Sequence, residues 1–393
     1  MNKNILNTGV QNFIDKKIDT DIASVLLKGT NFEGVSTKEI VEQIEARKKC
    51  KNKLPNWYNT SRVYYPNKLS VEQTSSEISA QYKASIINGK SLIDLTGGLG
   101  VDCYYFSKKF NRVTHCEINK NLSEIAAYNS QVFDVQNIDF VPENGVDFLK
   151  KSDSDYDWIY VDPSRRNDIK GKVFMLNDCL PNIPENLSDL FRYSNNIMIK
   201  TSPILDLSIG IKELTFVKEI HIVAIKNEVK ELLWILKKND TNSISIKTIN
   251  IKKEDKETFD FNYSDESDAI ATYSSPLLYL YEPNAAILKS GAFNLLSDKL
   301  NLKKLHQHSH LYTSTELIDF PGRCFKITDT FKYHKKTVKK NIGNTNGNIT
   351  TRNFPESVDQ LRKSLKIKDG GNNYYFFTTD NNGDRIVVSC LKP

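Results

Sequence analysis

Ser91-Leu92-Ile93-Asp94-Leu95-Thr96-Gly97-Gly98-Leu99-Gly100 is the stretch on which the reading of this chain turns. An apolar strand-like run ends in a glycine-rich turn, and a helix-like segment, VDCYYFSKKF (101–110), opens directly behind it. Strand, glycine turn and helix in immediate succession form the first unit of an open α/β sheet. Glycines let the backbone turn tightly and approach a ligand that a Cβ would exclude. The helix start behind them supplies free N–H groups and the positive end of a dipole.

Beyond this turn, short apolar runs alternate with longer amphipathic ones. The predicted strands are SLIDL, RVTHCEI, IDFVPE, YDWIYVD, NIMIK, EIHIVAI and ELLWIL, between residues 91 and 236. The first five alternate with helical or loop segments, the pattern of parallel βα units. Only KNEVK separates the last two, too short for a crossover, so they are expected to form an antiparallel hairpin. Five parallel units and a reversed last strand predict a Rossmann-like α/β methyltransferase sheet for residues 86–255. Residues 1–85 read as helical, with VEQTSSEISAQYKASII (71–87) as one helix packed before the first strand. Its Gln73, Ser75, Ser76 and Glu77 are placed to touch a ligand. Residues 238–270 read as added edge strands and a linker, with 254–268 as a solvated acidic loop. A small α+β unit at 276–320 and a last one at 321–393 complete the chain.

Glu117 closes the second strand, 20 residues after Gly97, where a carboxylate can accept both hydroxyls of a ribose. That spacing fits a dinucleotide and S-adenosyl-L-methionine alike. Cys103 stands where the third glycine of a pyrophosphate-binding fingerprint would be, and Asp94 would repel a pyrophosphate but face a cationic methionine moiety. Both details favour S-adenosyl-L-methionine, with Asp94, Thr96, Gly97, Gly98, Gly100, Glu117 and Asn144 as the candidate binding set. Asn144 follows the third strand, where its amide could meet an adenine amine; an ordinary Asn-Gly turn is the alternative.

The fourth strand runs into Asp162-Pro163-Ser164-Arg165-Arg166, at the crevice edge that the glycine turn shares. The loop resembles the D/N-P-P-aromatic loop of amino-methyltransferases, with Ser164 and Arg165 in place of the second proline and the aromatic. Asp162, Pro163 and Ser164 are the candidate catalytic residues. Arg165 and Arg166 are assigned to substrate phosphate or base. Carbon-5 pyrimidine methylation would need a nucleophilic cysteine; Cys179 is the nearby candidate, and its apolar surroundings argue against it.

The 393 residues carry a net charge of +6, but residues 321–393 hold 14 Lys and Arg against 6 Asp and Glu. The rest of the chain is therefore slightly acidic, and the whole surplus sits in the C-terminal unit. Lys335, Lys336, Lys339, Lys340, Arg352, Arg362 and Lys363 are its candidate phosphate contacts. Six scattered cysteines without a CxxC pair predict neither a zinc site nor a disulfide framework. His306, His308 and His310 alternate, so that a strand would put them on one face, yet no carboxylate or cysteine completes a ligand set, and no metal is expected. No apolar run nears the ~20 residues that span a bilayer, and the first residues lack the apolar core of a signal peptide, so a cytoplasmic protein without membrane contact is expected.

The glycine turn, the EQTSSEISAQYKA segment, the VDPSRR loop and the HIVAIKNEVKELLWIL hairpin together resemble a group of bacterial class I S-adenosyl-L-methionine-dependent methyltransferases with a C-terminal THUMP-like domain. TRNFP (351–355), LRKSLKIKDGG (361–371) and YYFFTT (374–379) are similar to that THUMP-like module, and residues 276–320 resemble the small ferredoxin-like subdomain before it. The resemblance implies the fold, the cofactor, and an RNA partner, tRNA or rRNA. The expected activity is methylation of a base nitrogen in structured RNA. An RNA-binding protein with a retired methyltransferase domain, and a methyltransferase of protein or small molecules, are the alternatives.

Overall fold

A computed structural model describes residues 1–165 and 175–393, with only the backbone of Arg165. Arg166 and the Arg165 side chain therefore lie outside the described residues. The chain divides into two units: Met1–Val217 with Leu233–Thr241, and Lys218–Leu232 with Asn242–Pro393.

The first unit opens with helices Thr8–Lys17, Ile22–Lys28, Thr37–Lys53, Pro55–Asn59, Lys68–Gln73 and Glu77–Ile86. The longest is started by a reciprocal cap, in which Ser36 and Glu39 each accept the other's backbone N–H. The segment 71–87, expected as one helix, is broken at Thr74–Ser76. The Ser76 hydroxyl accepts the Ser79 N–H at 3.2 Å and starts a new helix, a local hydrogen bond that competes with continuing the old one.

Behind these helices lie β1 (Gly89–Asp94), β2 (Phe110–Cys116), β3 (Ile138–Val141), β4 (Trp158–Val161) and β5 (Asn196–Thr201). They stand in the order β3-β2-β1-β4-β5, and every neighbouring pair is parallel. β1, at the centre, is buried on Leu92, Ile93 and Asp94. The carboxyl ends of β1, β2, β4 and β5 thus open on one edge, where ligands of such sheets sit. Trp57, Leu92, Phe106, Val113, Tyr160 and Met198 belong to the apolar core beneath.

The second unit contains the turn of the expected hairpin, between strands Val217–Ile225 and Glu228–Lys237. Its two turn residues, Lys226 and Asn227, have φ of +52° and +64°, the left-handed pair that a two-residue hairpin demands. Edge strands Ser245–Ile251 and Lys256–Asn262 pair antiparallel, the first running parallel to residues 219–225. The block 254–268 is more ordered than a solvated loop: the whole of the second edge strand falls in it, and Glu266 accepts the N–H groups of Asn294 and Leu295.

From Thr272 onward an eight-stranded sheet forms, in which Tyr279–Pro283 pairs antiparallel with Gly322–Lys332. Helices Lys335–Ile342 and Val358–Leu365 bury Val338, Ile342, Leu361 and Leu365 with Tyr375, Phe377 and Val387 of this sheet. The three alternating histidines lie in a turn rather than on a strand face. The His306 Nδ1 accepts the His308 N–H at 3.1 Å, and the His310 ring stacks on Phe293 at 3.6 Å.

Candidate functional site

A cavity of about 680 Å³ lies over the carboxyl edge of the first unit's sheet. Asp94, Thr96, Gly97, Gly98, Glu117 and Asn144 line it, as do Asp162 and Ser164. Gly100 stands back from the wall: with φ of +79° it starts the helix Val101–Phe106. Pro163 is buried beside Asp162. Of the interrupted helix, Gln73 and Ser75 reach the wall; Glu77 turns away and accepts the Asn56 N–H at 2.6 Å.

The glycine turn is held from two sides. Glu117, half-buried, accepts the Gly98 N–H at 2.9 Å and the Asn119 N–H at 2.7 Å, one on each carboxylate oxygen. From below, the fully buried ring of His115 lies 3.1 Å from the Gly98 carbonyl through Nε2. Burial pushes the His115 ring well down, to about 4, so it is a neutral packing group near neutral pH. Gly145 is fixed by close packing as well: a Cβ there would sit 2.4 Å from the Leu95 carbonyl oxygen. Asn144, beside it, accepts the N–H groups of Val146 and Asp147 and so caps its helix. Its amide nitrogen is the part of it left for a ligand.

Asp94 is buried at the end of β1. Its carboxylate accepts the Thr96 N–H at 2.9 Å and the Cys103 thiol at 3.3 Å. Burial raises it to about 7, with Asp102 and Asp162 adding to the effect. Asp102 has a cation of its own, Lys83, whose ammonium is buried and lies 3.0 Å away; Ser75 and Tyr160 also donate to it, at 2.8 and 2.9 Å. Asp162 is met by Lys200, at the end of β5, at 2.5 Å. Its backbone N–H donates to Thr96 Oγ at 2.8 Å, tying the fourth strand's end to the glycine turn.

Lys83, Asp102, His115 and Lys200 were not singled out by sequence reasoning. Lys200 had a readable signal, a lone cation at the carboxyl end of an otherwise apolar strand. Cys179 is buried, its backbone pairing with Arg165, and does not line the cavity.

In the second unit, Lys335, Lys336, Lys339, Lys340 and Lys363 are exposed. Arg352 is instead paired at 2.7 Å with Glu282, a buried carboxylate that Arg323 also grips. Arg362 pairs with Asp369 and donates to the Gly347 carbonyl at 3.2 Å. Among the described residues no cluster of three His, Cys, Asp or Glu side chains is placed to hold a metal ion. Among them, too, no helix is long and apolar enough to cross a membrane.

A family model described as a ferredoxin-like domain matches residues 279–321, and one described as THUMP domain-like matches 322–392. A solved structure of a candidate methyltransferase from Porphyromonas gingivalis W83 is 30% identical, covers 98% of this chain and 97% of its own, and superposes with a TM-score of 0.89. The chain belongs to the bacterial class I methyltransferases with a C-terminal THUMP-like domain. An RNA methyltransferase of Mycoplasma mobile, itself uncharacterised, is 26% identical over 132 residues, which span 33% of this chain and 36% of that relative's length.

Class I methyltransferases of this kind draw on S-adenosyl-L-methionine, and the cavity has the chemistry to hold it. Glu117 can take ribose hydroxyls on its remaining lone pairs, and the bare backbone at Gly97 and Gly98 admits close approach. Among the described residues Asp94 is the one of the three aspartates that no lysine pairs with, matching a cationic ligand.

Proposed function

We propose that this THUMP-like methyltransferase transfers the methyl group of S-adenosyl-L-methionine to a base nitrogen of structured RNA, tRNA or rRNA, in the cytoplasm. The observation that carries the reading is the convergence of the glycine turn, Glu117 and Asp162 on one cavity. The cofactor supplies a methyl group already activated on a sulfonium, so the chain's task is placement and electrostatics. Asp162 faces the acceptor, accepts its hydrogen bond and aligns it for in-line attack. A sheet of five parallel strands followed by a reversed one belongs to the same reading.

RNA as substrate is supported by the relative's description as an RNA methyltransferase, the THUMP-like match and the exposed lysines of the helix Lys335–Ile342. That helix carries Lys335 and Lys336 in its first turn without an acidic residue, against its own dipole. A polyanion laid along it would remove that cost.

The test is transfer of a tritiated methyl group from S-adenosyl-L-methionine to RNA from a strain lacking the gene, with calorimetry of the cofactor alongside. Label in RNA and 1:1 cofactor binding support the proposal. Cofactor binding without label would support a second reading, an RNA-binding protein whose methyltransferase site is retired, for which Ser164 and Arg165 in place of the second proline and the aromatic are the motive. Label in protein or a small molecule, but not in RNA, overturns the choice of substrate.

A further inference from the structure

Leu180 and Pro181 line the cavity together with Asp162 and Ser164, yet neither belongs to the loop that follows β4. They come from a separate short segment, in which Leu180 pairs antiparallel with Ser164 and Cys179 with Arg165. Leu176, Cys179, Asn182 and Ile183 of that segment are buried, whereas Leu180 is 51% exposed. The Leu176 and Asn177 N–H groups donate to Glu213 at 2.9 and 3.2 Å, and the Asn182 amide donates to the Asn177 carbonyl at 3.3 Å. A lone exposed leucine is ordinary on a protein surface. Leu180 differs in being anchored on both sides and held at the wall of the cavity.

The sheet order β3-β2-β1-β4-β5 decides which ligand meets it. The glycine turn, Glu117 and Asn144 follow β1, β2 and β3, so the cofactor set lies on one side of the cavity. Asp162 and Lys200 stand at the ends of β4 and β5 on the other side, and Leu180 is paired to the loop that Asp162 opens. There the wall offers a carboxylate, an ammonium, the Ser164 hydroxyl and the apolar surface of Leu180 and Pro181. A flexible alkylamine needs a hydrogen-bond partner for its nitrogen and little more. A nucleobase also has two flat faces, and covering a face is worth much of its affinity. The loop 162–166 contains no aromatic residue to do so.

We infer, on the reading of this chain as an RNA methyltransferase, that Leu180 and Pro181 form the platform for one face of the acceptor base, whose edge meets Asp162. The acceptor is then a planar ring, and its recognition is divided between two segments. The loop after β4 reads the edge and so the nitrogen. The segment around Leu180 covers the face and so supplies affinity for a ring. Apolar contact of this kind is blind to the pattern of donors and acceptors on the edge, because every base has such a face.

The test measures methyl transfer by the full chain to RNA from a strain lacking the gene, with calorimetry of S-adenosylhomocysteine on each variant. In Leu180→Ala, kcat/KM for the RNA is expected to fall about tenfold, what covering the open half of a leucine is worth. Leu180→Asn should lose as much, because asparagine keeps nearly the shape of leucine without its apolar face. Leu180→Met, which keeps volume and apolarity, should stay within twofold of wild type. S-Adenosylhomocysteine affinity should stay within twofold in all three, a control for folding as well as for the cofactor side. RNA transfer within twofold of wild type in both Leu180→Ala and Leu180→Asn overturns the inference and leaves the RNA methyltransferase reading intact. So does a loss of S-adenosylhomocysteine affinity equal to the loss of transfer, which would set Leu180 against the cofactor. A wild-type protein that binds S-adenosylhomocysteine and labels no RNA overturns that reading, and this inference with it.

Discussion

The His115 imidazole occupies the space that a Cβ on Gly97 would need: ring atoms Cδ2 and Nε2 stand 2.3 Å from that position. The ring is fully buried and cannot swing aside, so Gly97→Ala must displace the glycine turn itself. Overpacking of this kind costs about 1–3 kcal/mol. Gly98 differs: its φ is +53°, but among the described residues the nearest atom to an added Cβ is 3.8 Å away. Its alanine variant carries only the conformational cost, about 1–2 kcal/mol. Denaturant unfolding and cofactor calorimetry together check this: both variants lose stability, and Gly97→Ala loses cofactor affinity by more than tenfold.

His115 and Asp94 make opposite contributions to stability as pH changes. The native ring is held down to about 4, below its unfolded value near 6.5. The unfolded chain therefore binds the extra proton between those values, and the His115 contribution is complete above about 6.5 and lost as pH falls toward 4. Asp94 is raised to about 7. There the native state binds the extra proton, so its contribution is complete below the unfolded carboxylate value near 4 and lost as pH rises through about 7. Asp94→Asn removes the second effect alone. The ligand-free variant is expected to gain stability relative to wild type between pH 6 and 8, and to lose cofactor affinity, as melting curves across pH with and without S-adenosyl-L-methionine will show.

Lys83 is fully buried and pairs with Asp102, which Ser75 and Tyr160 also engage. Lys83→Met strands a carboxylate in the cavity floor, a change worth about 3–5 kcal/mol. Lys83→Met/Asp102→Asn removes the stranded charge, and urea unfolding is expected to show it recovering part of that loss.

The basic residues of the C-terminal unit divide into two groups with different expected effects. Alanine at Lys335, Lys336, Lys339 and Lys340 is expected to weaken RNA binding across sequences. It should also flatten the salt dependence by about 0.7–0.9 for each phosphate no longer neutralised. Arg352→Ala leaves Glu282 with one of its two guanidinium partners and acts first on stability. Filter binding at several salt concentrations, paired with thermal denaturation, separates the two: the lysine set moves affinity, and Arg352→Ala moves the melting temperature.

The predicted strands were legible because each is a short apolar run between turn signals, and the glycine turn and Glu117 because their chemistry is local in sequence. What was not legible depends on pairings between distant segments. Arg352 reads as a free cation until Glu282, 70 residues away, is seen to hold it. Lys83 reads as one face of an amphipathic helix, yet it is buried against Asp102. The 71–87 segment has helical periodicity throughout, and only the Ser76 cap divides it. Lys200 shows that the site's edge extends one strand beyond the Asp-Pro loop on which the sequence reading stopped.

Methylation of RNA by this chain is read most directly by nucleoside mass spectrometry of RNA from wild-type and deletion strains. One methylated nucleoside is expected to be absent from the deletion strain, restored by the wild-type gene and not by Asp162→Asn. Identical nucleoside profiles in the two strains would contradict RNA methylation by this site.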